Sequence, residues 1–99
     1  MSEEKLLKDK EAGFRAKTVL DNQAFIDAYQ AVRDAIIDSW ERCPIQDKDV
    51  AHELKLMLKI HKDLGGHLRK AVENGEFAAK ELARDKTLPQ RIAERLRIA

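Results

Sequence analysis

Hydrophobic residues recur along the middle of the chain at helical intervals. Phe25, Tyr29, Val32, Ile36 and Cys43 follow one another at steps of four, three, four and seven, which line one face of a helix. Ile26, Ile37 and Trp40 widen that stripe, while Arg33, Asp34, Asp38 and Glu41 fall mostly on the opposite face. The pattern predicts a helix over about 22–42. Asp21 or Asn22 would open it, because their side chains accept hydrogen bonds from the free amides of a first turn. Pro44 closes it, since proline disfavours helical geometry at the preceding Cys43 and lacks the next ladder donor.

A second helix is predicted over about 47–74, starting from Asp47 with Asp49 near the positive end of the helix dipole. Val50, Leu54, Met57, His61, Leu64, Leu68 and Ala71 alternate steps of four and three; Leu58, Ile60 and Val72 broaden the face. The stripe keeps its phase across Gly65-Gly66, so an uninterrupted helix is expected there, with Phe25 or Ile26 of the antiparallel helix against the bare backbone. Asn74-Gly75 reads as the stop, because glycine accepts the left-handed conformation that closes helices.

The short connection between these helices makes them an antiparallel hairpin. The stretch before it, from Ser2 to Leu20, has a helix start at Ser2-Glu3-Glu4 but sparse apolar residues, so a loosely held helix is expected. After it, 76–85 reads as a short helix carrying Phe77 and Leu82. Thr87-Leu88-Pro89 reads as a new helix start, leading into a basic amphipathic helix over 90–97. The expectation is one all-α domain over 1–99, with an N-terminal arm (1–20), a helical hairpin (21–75) and a C-terminal arm (76–99). The apolar stripes are wider than a two-helix seam needs, and the arms offer little to cover them. A homo-oligomer is therefore expected, in its simplest form a dimeric four-helix bundle. Phe25, Tyr29, Ile36, Trp40, Leu54, Leu58 and Leu64 would form its core and self-interface.

Composition agrees with this class. The 99 residues are 43% hydrophobic and 37% charged, rich in helix formers and poor in glycine and proline. A net charge of +1 marks the whole chain neither as a basic nucleic-acid binder nor as an acidic mimic. The single cysteine excludes an internal disulfide and fits a reducing compartment. No apolar run approaches the roughly 20 residues of a membrane span, and the charged N-terminus lacks a signal-peptide segment. A cytoplasmic protein with no membrane partner is expected.

Candidate chemistry is sparse. His52, His61 and His67 stand nine and six residues apart, so no two share the four-residue spacing of helical metal ligands. Asp63–His67 and Asp49–Glu53 have that spacing, but the Glu-x-x-His signature of carboxylate-bridged bundles is absent. His61 reads as a packed, hydrogen-bonded core or interface residue rather than a ligand. Cys43 stands at a helix C-terminus, where the dipole disfavours a thiolate. No metal, cofactor or catalytic residue is expected, and the chain does not read as an enzyme.

The basic ends are more open. Leu88, Ile92 and Leu96 form an apolar stripe beside Arg91, Arg95 and Arg97, a candidate docking face for another protein. The same arginines, with Lys5, Lys8, Lys10, Arg15 and Lys17 at the other end, support an alternative reading as a nucleic-acid-binding accessory protein for regulation or genome packaging.

The runs VLDNQAFIDAYQAVRDAIIDSW and GGHLRKAVENGEFAAKEL resemble a class of small phage and prophage helical proteins over about Val19–Leu82. The resemblance lies in the Leu-Asp start, the amphipathic helix ending near tryptophan, and the Gly-His-Leu segment before a closing glycine. Members of this class have no assigned activity and often stand near head-morphogenesis genes. The resemblance implies a role in virion assembly or another phage interaction, and carries over no catalytic residue.

Overall fold

The computed structural model describes residues 2–98, with side chains described over 2–84. Among the described residues there are three helices and no strand: α1 (Glu3–Leu20), α2 (Gln23–Arg42) and α3 (Lys48–Ile98). Three short side chains set the helix starts. Ser2 Oγ accepts from the Lys5 amide at 3.2 Å, Asn22 Oδ1 from Phe25 at 3.0 Å and Asp47 Oδ1 from Val50 at 3.3 Å. Cys43 ends α2 in the extended conformation that a following proline imposes.

α3 is the spine. A 51-residue helix is about 77 Å long, and the molecule measures 81 × 26 × 15 Å. α1 and α2 lie end to end along it. Leu6 clusters with Ala78 and Leu82, Gly13 lies on Ala71 and Gly75, and Tyr29 packs on His61. Numbers rise along α1 and α2 as they fall along α3, so both run antiparallel to it. On α3 the covered positions step by three and four from Ala51 and Leu54 to Ala79 and Leu82, the 3.5-residue period of a coiled-coil seam.

Four expectations are corrected. Among the described residues the N-terminal segment is the most tightly packed on α3, not a loose arm. Of its few large apolar residues only Leu6 is buried, against Ala78 and Leu82, and small residues do the rest of the packing. A methyl group added at Gly13 would lie 2.7 Å from the Gly75 α-carbon and 2.8 Å from the Ala71 carbonyl oxygen. The backbones of α1 and α3 thus touch at this crossing, flanked by buried Ala16 and Ala78.

The second correction is that Asn74-Gly75 does not end the helix. No glycine among the described residues takes a positive φ, and α3 runs through Gly75 as helix. Gly75 is there for space opposite Gly13, not for a left-handed turn. Third, α3 also passes through Thr87–Pro89, so no separate helices over 76–85 and 90–97 form. A proline inside a helix removes one ladder bond without forbidding the helix, and the neighbouring Ala, Glu, Leu and Arg residues are strong helix formers.

α3 is uninterrupted at Gly65-Gly66, but the residue opposite is Tyr29, one turn beyond the expected Phe25 or Ile26. The Tyr29 hydroxyl lies where a Gly65 side chain would be, beside the Arg69 guanidinium. Gly66 meets nothing within 4 Å.

Candidate functional site

The α2–α3 contact is narrow, and one pair of side chains latches it. The Tyr29 hydroxyl donates to the His61 carbonyl at 2.5 Å, and His61 Nε2 is 2.8 Å from the Tyr29 carbonyl. A carbonyl only accepts, so Nε2 carries the hydrogen. The two rings stack at 3.8 Å between centroids, tilted by 27°, and Phe25 continues the row 5.6 Å from Tyr29. Both polar ends are satisfied by backbone, which makes this a structural latch rather than a base or nucleophile. Tyr29→Phe removes one hydrogen bond and leaves the rings stacked. The expected loss is about 1 kcal/mol, or roughly 4–8 °C in thermal midpoint, and an unchanged melt would remove the latch.

Beside the latch the molecule is apolar and open. On α3 the inward positions are Leu54, Leu58, His61 and Gly65, so Val50, Met57 and Leu64 turn to one side. These three, with Ile60 one turn from Met57 and Leu64, are 41–67% exposed. Across the seam, Phe25, Ala28 and Val32 of α2 line one hollow together with His61 and Leu64. The result is one continuous apolar face along α2 and the first half of α3. Further along the spine the same column of α3 carries Ala71 and Ala78, where α1 covers it and Ala78 is completely buried.

The residues expected to form core and self-interface divide accordingly. Ile36 is buried; Phe25, Tyr29, Leu54 and Leu58 are half-buried; Trp40 and Leu64 stay exposed, at 43% and 51%. Within this chain Trp40 and Leu64 are therefore surface rather than core, because the seam turns to the neighbouring positions Ile36 and Gly65. The candidate docking residues Leu88, Arg91, Ile92, Arg95, Leu96 and Arg97 lie outside the residues whose side chains are described. Sequence reasoning missed Gly13, Ala16, Gly75 and Ala78, although the repeated Gly-x-x-Ala spacing in both segments is the signal that would have found them.

Among the described residues no three His, Cys, Asp or Glu side chains gather as a metal site, and no helix is long and apolar enough to cross a membrane. Cys43 is a free, half-buried thiol at the turn, its Sγ 3.6 Å from the carbonyls of Pro44 and Asp47. No protein-family model, curated protein or solved structure matches the chain.

Proposed function

We propose that the protein is a non-enzymatic assembly module that self-associates through the open apolar face, pairing two α2–α3 units into a dimeric four-helix bundle. The supporting observation is surface. A compact monomer of 11.3 kDa exposes about 5,700 Å², whereas this chain exposes 8250 Å². The excess, roughly 2,500 Å² per chain or about 5,000 Å² per pair, matches the larger interfaces of obligate homodimers. Its radius of gyration is 22.0 Å, against about 13 Å for a compact domain of this length.

A second copy fits this face better than an unrelated partner. The face lies along two antiparallel helices, and a two-fold axis across it sets each copy's apolar strip on the other's. The role of such a module in virion assembly follows from the resemblance to small phage proteins, with the C-terminal segment as the docking element for another protein. Light scattering on the eluting protein should return twice 11.3 kDa, and removal of residues 86–99 should leave that mass, less the residues removed, a dimer. A monomer at micromolar concentration would overturn the reading.

A further inference from the structure

The flank opposite the apolar face carries a different pattern. Lys48, Lys55, Lys62 and Arg69 follow at seven-residue steps on α3, all exposed. Seven residues are nearly two helical turns, so the four cations form one row, about 10.5 Å apart and about 32 Å from end to end. Arg33 and Lys59 join it around the hollow beside Tyr29, and Lys70 joins beyond Gly66. Asp63 is the one acid that lines these hollows.

Among the described residues none of these cations has an ion-pair partner. The contrast lies within the same chain. On α1, Lys5, Lys8, Arg15 and Lys17 each pair with a carboxylate one turn away. Net charge near zero therefore hides a local difference: every α1 cation but Lys10 is paired, whereas none of the cations along this flank of α3 is.

Gly66 adds a second observation. Glycine in a helix costs about 1 kcal/mol relative to alanine. Tyr29 accounts for Gly65, but among the described residues nothing lies where a Gly66 side chain would be. Its bare backbone leaves a notch lined by Lys62, Arg69 and Lys70, with His67 and the single carboxylate of Asp63 at its edge, and with room for a phosphate group.

We propose that this flank binds the phosphate backbone of duplex DNA without reading its sequence. The row is straight and close in length to one duplex turn of about 34–36 Å. Evenly spaced point charges fit phosphates, which position a protein without specifying a base. Single strands are held on exposed aromatic platforms, and this flank has none, since the Tyr29 ring is stacked on His61. The site is distinct from the basic chain ends, and binding there does not depend on self-association.

The test is fluorescence anisotropy of a labelled duplex of about 20 base pairs with the full chain, titrated at several salt concentrations. Four phosphate contacts give a slope of log affinity against log salt of about −3.6 or steeper. Replacing Lys55, Lys62 and Arg69 together by Gln should flatten that slope by about 2.7 units and weaken low-salt binding roughly tenfold or more. All three are exposed and Gln is a good helix former, so the fold is retained, with far-ultraviolet circular dichroism as the check. Two control triples remove the same charge elsewhere: Lys5→Gln, Lys8→Gln and Lys17→Gln, and Arg91→Gln, Arg95→Gln and Arg97→Gln. Each should leave the slope within about one unit of the wild type. Absence of binding at low salt, or an equal flattening by either control set, would overturn the proposal. Solution mass, measured on the same variants, reports separately on self-association.

Discussion

Gly75→Leu should detach α1 from the spine. Leucine is a strong helix former, so the substitution favours α3 itself by about 1 kcal/mol. The first atom of the new side chain would nevertheless stand 2.8 Å from the Gly13 α-carbon and 3.1 Å from the Asp9 carbonyl oxygen. These are backbone atoms, which no rotamer change can move aside. The helices must separate along the whole crossing, uncovering Leu6, Ala78 and Leu82 together. Overpacking of this kind costs about 3 kcal/mol or more, larger than the propensity gain. The expected result is a thermal midpoint lower by roughly 10–20 °C. Amide exchange over 3–20 should become fast while 48–65 keeps its protection, which distinguishes local detachment from global unfolding.

Gly66→Ala is the matched control, with the opposite sign. The same change of glycine to a larger residue meets open space there and should stabilise by about 1 kcal/mol. Equal stability of Gly75→Leu and the wild type would mean that the Gly13–Gly75 contact does not hold α1.

This pair also shows where the sequence was legible. Ser2, Asn22 and Asp47 could be read as helix starts because a cap is a local hydrogen bond, made within three residues. The break at Cys43-Pro44 and the continuity through Gly65-Gly66 were legible for the same reason: proline acts on its neighbour, and apolar phase is a property of one helix. Gly75 was not. A glycine that closes a helix and one that admits another helix look alike in sequence. Only the small residue opposite, Gly13, distinguishes them, and it stands 62 positions away. The packing of the N-terminal segment was illegible on the same ground, since Gly-x-x-Ala carries no large apolar residue to mark a core.

The candidate face was half legible. The stripe of Val50, Leu54, Met57, His61 and Leu64 mixes two columns of α3. Leu54 and His61 belong to the seam, and Val50, Met57 and Leu64 to the open side. A helix period of 3.6 and a seam period of 3.5 diverge too slowly for a few turns of sequence to separate the columns. What the width did carry was the conclusion that two helices alone cannot cover it.

That conclusion has a decisive variant. Met57→Glu with Leu64→Glu should convert the proposed dimer into a folded monomer. Both side chains are about half exposed in the protomer, so the change disturbs little within the chain, and glutamate is as good a helix former as Met or Leu. Burying the remaining half of each side chain contributes about 1 kcal/mol, and two-fold symmetry counts each position twice. The lost contact is therefore about 4 kcal/mol, and four carboxylates would also have to be desolvated. The dissociation constant should rise at least 1,000-fold by the ratio that about 4 kcal/mol represents. Sedimentation should then return 11.3 kDa for the variant and twice that for the wild type, with equal helix content per residue at low temperature. A variant that remains a dimer would move the interface elsewhere, to Trp40 and Ile45 at the turn or to the C-terminal segment. Helicity lost together with the dimer would mean instead that the α2–α3 pair needs its second copy in order to fold.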